Sequence, residues 1–227
     1  IIGTGPFMLT EFKPGERLSY TKNPLYWQKD KEGKQLPYID KIVKFVVEKD
    51  DVQLVQFESK EIDVLSVREK DFAYLKKKEQ KGNYTVYDCG PSFGTNFISF
   101  NQNPNTVKQP KLNWFRDKNF RKAVAYAIDK QTIIDNVMKG IGYPQDAAME
   151  KAAVIFHNPF VTRYEYDLNE AKKILFNAGY KDNDGDGIIE DKDKNPIKFT
   201  LITNADNTVR QSIGAIITTD IKKIGMD

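Results

Sequence analysis

The sequence predicts a mixed α/β chain, and three observations carry that expectation. A Pro-Gly turn at Pro14-Gly15 separates two short runs rich in aromatic and branched residues, which is how a β-hairpin reads. From Asp117 onward, Phe120, Val124, Ala127 and Ile128 recur at helical spacing with charged residues on the other faces. Residues of cap type, Asp117, Asp129 and Asp167, precede the helical stretches, and Gly140 and Gly179 follow two of them. With 227 residues, 40% hydrophobic and 12% aromatic, the chain can build a substantial core.

At the start, Gly3 to Phe7 reads as a tight turn into a strand, and Lys13-Pro14-Gly15-Glu16 turns it back into Arg17 to Tyr20. A phosphate-loop reading of these glycines fails, because no Gly-Lys-Ser/Thr follows and a strand comes next. Asn23 to Asp40 is turn-rich; its aromatics, Tyr26, Trp27 and Tyr38, are expected to pin the loop to a core. Ile42 to Val47 is a strand, Asp51 to Lys60 a helix, and Glu61 to Leu65 a strand. Together they predict a crossover unit in a mixed sheet. Asp71 to Lys81 is a helix with Phe72 and Leu75 inward, and its Lys76-Lys77-Lys78 run reads as a solvated face.

Thr85 to Cys89 returns as a strand and leads into Gly90 to Asn96. Phe93, Gly94, Thr95 and Asn96 are candidate ligand-binding residues, since small molecules bind outside strand ends in α/β sheets. This segment also offers backbone groups, a hydroxyl, an amide and an aromatic ring. Phe97 to Phe100 reads as a buried strand, Asn101 as the tie of the next loop, and Lys108 to Trp114 as a loop whose Trp114 and Phe115 pack behind a helix. Two helices follow, meeting at Asp129, the second stopped by Gly140. The stretch from Gly142 to about Arg163 is irregular, with a short helical turn expected over Ala147 to Ala153. Asp167 to Gly179 is a helix with Glu170 at the capping-box position, Ile197 to Thr203 a strand, and Asn207 to Lys223 a helix. The next strand would begin at Met226-Asp227.

Phe115 to Lys130, followed by Ile133, Ile134 and Gly140, resembles the central signature of the family 5 extracellular solute-binding proteins. The phrases Gly3 to Phe7, Asn23 to Asp30, Leu36 to Ile42, Asp167 to Tyr180 and Leu201 to Gly225 are similar to further family segments. The resemblance implies a two-lobed, periplasmic-binding-protein-like architecture of type II with mixed sheets, of which this chain would be an incomplete middle portion. Residues 1–132 would be the central part of lobe I, and 133–227 the first, incomplete part of lobe II. It implies the extracytoplasmic substrate-binding component of an ABC importer. Such a receptor captures an oligopeptide or similar small solute, oligosaccharide included, between its lobes and delivers it to a membrane permease, without chemistry. Hinge candidates are Gly3 to Pro6 and Asp129 to Thr132, and the chain alone is expected to bind ligand weakly. The receptor would be a monomer, periplasmic or a cell-surface lipoprotein. It also places Phe93 to Asn96 at the cleft between lobes.

Asp182 to Asp193 matches the spacing of a calcium loop. Asp182, Asp184 and Asp186 stand at positions one, three and five, Gly187 supplies the sharp turn, the Ile188 carbonyl stands at seven, Glu190 at nine and Asp193 at twelve. Asp at twelve departs from the usual Glu, and Asn195-Pro196 replaces a second flanking helix. No cofactor is required by the receptor reading, and calcium is the one candidate. These residues motivate the alternative, a calcium-stabilised cell-surface interaction module.

Other classes are disfavoured. Thirty-five basic against 32 acidic residues give +3, which does not suggest nucleic acid. The single cysteine, Cys89, excludes a disulfide within these residues, and the single histidine, His157, leaves little from which to assemble a catalytic dyad. No run approaches the ~20 apolar residues of a membrane span, and the first residues do not read as a signal peptide.

Overall fold

The computed structural model describes residues 3–90 and 93–227. Packing divides the chain into two compact units, Ile1–Ser66 and Val67–Asp227.

In the first unit, strands β1 (Phe7–Lys13), β2 (Arg17–Lys22) and β3 (Lys41–Phe45) form an antiparallel sheet in that order. The turn between β1 and β2 follows from Pro14, whose ring presets φ, and from Gly15, which takes the φ of +74° that a side chain would resist. The amide of Glu16 closes it on the Lys13 carbonyl at 3.1 Å. The register slips between Leu9 and Glu11, and there the Thr10 hydroxyl donates to the Ser19 carbonyl. Beside the slip, the Arg17 guanidinium and then the Ser19 hydroxyl donate to Glu11 and hold its carboxyl down at about 2. Buried Asn23 gathers the entry segment: its amide group donates to the carbonyls of Gly3 and Gly5, and its backbone N–H to that of Pro6.

Two expectations for this unit change. The aromatics of the 23–40 loop are not pinned to a core, since Trp27 and Tyr38 are exposed. The loop is held instead by Asp30, which accepts from the amides of Glu32 and Lys34 and from the Tyr38 hydroxyl. Helix α1 (Asp50–Glu58) forms, but residues 62–65 make no ladder bonds, so the predicted crossover unit is not completed among the described residues.

The second unit holds the helices α2 (Glu69–Gly82), α3 (Lys111–Arg116), α4 (Lys118–Ala127), α5 (Lys130–Asn136), α6 (Leu168–Ala178) and α7 (Thr208–Lys222), with a 3-10 helix at Lys151–Phe156. In α2, Leu75 is fully buried and Asn83, in the left-handed region, ends the helix. Residues 108–114 were expected as loop, but Lys111–Arg116 is helical, and Trp114 and Phe115 pack as expected. Asp117 accepts the Asn119 amide and starts α4; Asp129 accepts both the amide and the hydroxyl of Thr132 and starts α5. Helix α5 ends at Asn136, ahead of Gly140, whose N–H reaches back to the Ile134 carbonyl at 3.0 Å. Asp167 caps α6, yet the reciprocal half of the capping box is missing. Glu170 pairs with Lys173, and the Asp167 N–H that it would have taken donates to the Tyr126 carbonyl. The short helical turn lies at 151–156, somewhat beyond the expected 147–153.

The core of this unit centres on Phe120, whose ring lies 5.8 to 6.4 Å from those of Phe100, Phe115, Tyr180 and Phe199. Around it are buried Val124, Ile133, Leu175, Ile197, Ile221, Ile224 and Met226, so α4 to α7 share one apolar interior that runs across residue 132. Residues 85–89, 97–100 and 200–203 were expected as strands but have no backbone ladder among the described residues. The start of the last predicted strand, residues 197–199, does pair. The Asp227 amide donates to the Ile197 carbonyl and its own carbonyl accepts from the Phe199 amide, the pattern of a parallel pair, closing a strand-helix-strand unit around α7.

Candidate functional site

Residues 93–100 form a non-helical run that packs one side on the core. Ile98 and Phe100 are partly buried against it, while Phe93 and Phe97 are 77% and 81% exposed. Just upstream, the Gly90 amide closes an Asx turn on Asp88. Pro91 and Ser92 of the expected loop lie outside the described residues.

Of the four candidate ligand residues, Phe93 and Gly94 are exposed and the other two have long-range partners. The Thr95 hydroxyl donates to Glu150 Oε1 at 3.2 Å, and Asn96 Oδ1 accepts from Arg210 Nε at 3.3 Å. Glu150 is the residue that opens the 3-10 helix, and Arg210 lies in the first turn of α7, fixed by Asn207, which accepts the Arg210 amide. A second amide oxygen, Asn204 Oδ1, accepts from Arg210 Nη1 at 3.3 Å. The structure thus gathers Thr95, Asn96, Glu150, Asn204 and Arg210, three of which lie more than fifty residues from the predicted segment. Sequence reasoning missed Glu150 and Arg210 as members of this group. Only the Asn207 cap hints at where Arg210 points, and nothing local marks Glu150. Asn101 ties its loop as expected, accepting from the Asn103 amide and donating to Thr106.

This surface presents a hydroxyl, two amides, a carboxylate, a guanidinium and two exposed phenyl rings, a set that can hydrogen-bond and stack on a solute. The one histidine and the one cysteine of the sequence are not part of this group. His157 is 2.7 Å from the Met149 carbonyl through Nδ1, and Cys89 is exposed. Two shallow hollows, of about 360 and 420 Å³, lie elsewhere, one beside α2 at Glu79 to Thr85 and one beside Lys198 to Leu201.

The acidic loop folds on itself. Asp182 accepts from the amides of Gly185 and Gly187, Asp184 from Asp186, and Asp186 from Ile188. Glu190, 5% exposed, accepts from both the backbone and the side-chain amide of Asn183 at 2.8 Å. One carboxylate oxygen each from Asp182, Asp184, Asp186 and Glu190 lies within 4.8 Å of the others. Two oxygens on one calcium, each ~2.3–2.6 Å from it, can be at most about 5.2 Å apart, so the spacing of the four is compatible with a single ion. Asp193 stands outside that group. Bridges from Glu190 to Lys181 and Pro196 turn the chain, and Asp193 falls in a separate turn built on Asp191. That aspartate accepts from Asn195 and from the Trp114 indole at 2.8 Å. Burial alone would raise the Asp191 carboxyl, but the donors from Asn195 and Trp114 outweigh it and leave it below the ordinary range.

The family described as bacterial extracellular solute-binding proteins, family 5, middle portion, matches residues 1–227. The chain is 30% identical over 229 residues to the oligopeptide-binding protein AppA of Bacillus subtilis (strain 168), covering 100% of this chain and 38% of that protein. It is 27% identical over 243 residues to the nickel-binding periplasmic protein of Escherichia coli (strain K12), covering 100% and 40%. The solved structure of AppA from Bacillus subtilis in complex with a nonapeptide superposes with a TM-score of 0.75 at 29% identity, over 98% of this chain and 41% of that one. The chain therefore spans about two fifths of the length of the relatives it matches. These relatives are named as binding proteins. They give no support to a calcium-stabilised interaction module.

Proposed function

Because the chain belongs to the bacterial extracellular solute-binding proteins of family 5, we propose that it is the middle part of the substrate-binding component of an ABC importer. The receptor takes up an oligopeptide or a similar small solute, such as an oligosaccharide, outside the cytoplasm and passes it to a membrane permease. The observation that carries this reading is the likeness to peptide-bound AppA over 98% of the chain. In the whole receptor, residues 1–132 contribute to lobe I and 133–227 to lobe II, and ligand lies where Phe93 to Asn96 meet Glu150 and Arg210. Binding favours a closed arrangement by its greater affinity for that state. The hinge candidates are Gly3 to Pro6, gathered by Asn23, and Asp129 to Thr132, where the Asp129 amide donates to buried Asp220 of α7. The receptor works as a monomer, without catalysis and without nucleic acid, and is periplasmic or lipid-anchored at the cell surface.

A second element of the reading is calcium at Asp182, Asp184, Asp186 and Glu190. Glu190 favours it, being a buried carboxylate with no Lys or Arg pair among the described residues. The Ile188 carbonyl, at position seven, is the backbone ligand of such a loop, and Asp193 is a candidate only if its turn moves. The ion would stiffen the loop and take no part in solute capture.

Titration calorimetry of the full-length receptor against peptide and oligosaccharide pools, with chelator present, tests the main reading. Saturable binding of one pool is expected; heat from neither pool contradicts it.

A further inference from the structure

Helix α2, Glu69–Gly82, has fourteen residues, of which Leu75 alone is buried. At 3.6 residues per turn, Lys70, Tyr74, Lys77, Lys78 and Lys81 follow one another at offsets of four, seven, eight and eleven, so they share one face, and Leu75 and Glu79 lie on another. Tyr74, Lys77 and Lys81 are exposed, and the Lys78 ammonium lies 4.0 Å over the Tyr74 ring. The acids of the helix do not neutralise this face. Asp71 pairs with Arg68 and Glu79 with Lys76, while Lys77 and Lys81 enter no ion pair among the described residues.

Helix stability accounts for Lys81 alone, which stands in the last turn, where a cation favours the helix dipole. Lys70 stands in the first turn, where a cation opposes it, and Lys77 and Lys81, four residues apart, repel each other along the helix. The stripe therefore works against the helix that carries it, and its use lies outside the fold.

The residue type says what such a face meets. Arginine, with its planar fork, recognises particular carboxylates of a protein partner, whereas lysine is a point charge on a flexible stem. The stripe holds four lysines and no arginine, and the one arginine beside α2, Arg68, is engaged by Asp71. Flexible point charges suit an evenly anionic surface better than a defined acidic pocket, and a tyrosine among them is the residue that settles at the level of lipid headgroups.

We propose that the Lys70, Tyr74, Lys77, Lys78 and Lys81 face of α2 binds anionic phospholipid headgroups and holds the receptor against the membrane. The proposal rests on the reading of an extracytoplasmic receptor that serves a membrane permease, and adds the lipid surface as a second partner.

The test is co-sedimentation of the full-length receptor, carrying no lipid group, with vesicles of phosphatidylcholine alone or of equal parts phosphatidylcholine and phosphatidylglycerol. Binding is expected only to the second kind, and should disappear as salt rises from about 0.1 to about 1 M, where the screening length shrinks from about 10 to about 3 Å. Lys77→Gln with Lys81→Gln should weaken it about 25-fold, at roughly fivefold for each lysine near an anionic surface. Lys118→Gln with Lys172→Gln, exposed lysines of α4 and α6, changes the net charge equally and should leave binding as it was. Equal loss in the two pairs would make the attraction one of net charge and overturn the proposal. So would equal binding to both kinds of vesicle, binding to neither, or binding only when the permease is present in the vesicles, which would identify a protein partner instead. The calorimetry with solute pools tests the receptor reading separately: silence there together with phosphatidylglycerol-dependent binding here would remove the receptor reading and keep the lipid surface.

Discussion

Asp117 performs two tasks with its two oxygens, and removing them separately tests how the second unit is held together. Oδ1 accepts the Asn119 amide at 2.8 Å and caps α4; Oδ2 accepts the Tyr180 hydroxyl at 3.0 Å, from a ring 8% exposed beside Phe120. Loss of a cap costs about 1 kcal/mol. Loss of a hydrogen bond from a buried group to a charged acceptor costs about 1.5–3 kcal/mol. Asp117→Ala should therefore destabilise the fold by about 3 kcal/mol. Tyr180→Phe, which keeps the ring in place and the cap intact, should cost about 2 kcal/mol, and Asp117→Asn, a good cap and a neutral acceptor, about 1 kcal/mol. The double change Asp117→Ala with Tyr180→Phe should cost scarcely more than Asp117→Ala alone, a coupling of about 2 kcal/mol in a double-mutant cycle. Urea denaturation of the four proteins, followed by circular dichroism and tryptophan fluorescence, measures this. Simple additivity of the two changes would refute the argument that one carboxylate joins the start of α4 to Tyr180.

Three further outcomes are expected. Gly225→Ala places a Cβ 2.8 Å from Ile189 Cγ2 at a φ of +81°, so it should lower stability by about 2 kcal/mol in the same assay. An unchanged urea midpoint would show that Ile189 yields freely. Stability should fall at both extremes of pH. The Asp191 carboxyl is lowered in the fold, so its contribution is present above the ordinary aspartate value, ~4, and is lost as pH falls below it. Burial, then the Asp117 bond, raises the Tyr180 hydroxyl, so its contribution is whole below pH ~10 and is lost as pH rises above that. Asp191→Asn should flatten the acid limb and Tyr180→Phe the alkaline limb of a stability-against-pH curve; unchanged limbs would assign them to other groups. Calcium should raise the melting temperature of the wild-type protein, and Asp184→Asn with Asp186→Asn should erase that rise, while equal rises in both would place the ion elsewhere.

The helices were largely legible because their determinants are local. Asp117, Asp129 and Asp167 each announce a start that lies within three residues of them, and Phe120, Val124 and Ala127 mark the buried face of α4 by spacing alone. The strands were legible only as apolar segments. Ile197 is fully buried, as its pattern suggests, but a ladder needs a second strand, and nothing within Ile197 to Thr203 says that Asp227 supplies it. Helix α3 was missed because Gln109-Pro110 reads as a break, while Pro110 in fact stands at the start of a helix that can do without its N–H. In the acidic loop, alternate aspartates are visible in the sequence; what the spacing hides is that Asp191, whose other oxygen takes the distant Trp114 indole, anchors a separate turn that carries Asp193 away. The candidate ligand segment shows the same limit. Thr95 and Asn96 could be singled out, whereas Glu150 and Arg210 are joined to them only by the fold.

The thermal stability of the full-length receptor in chelator, with and without peptide and oligosaccharide pools, tests the central claim most directly. A ligand present at about 100 times its dissociation constant stabilises the folded state by about 2.7 kcal/mol, so one pool should raise the melting temperature by several degrees, with or without calcium. A melting temperature that answers to calcium alone, and to no solute in either pool, would contradict the account.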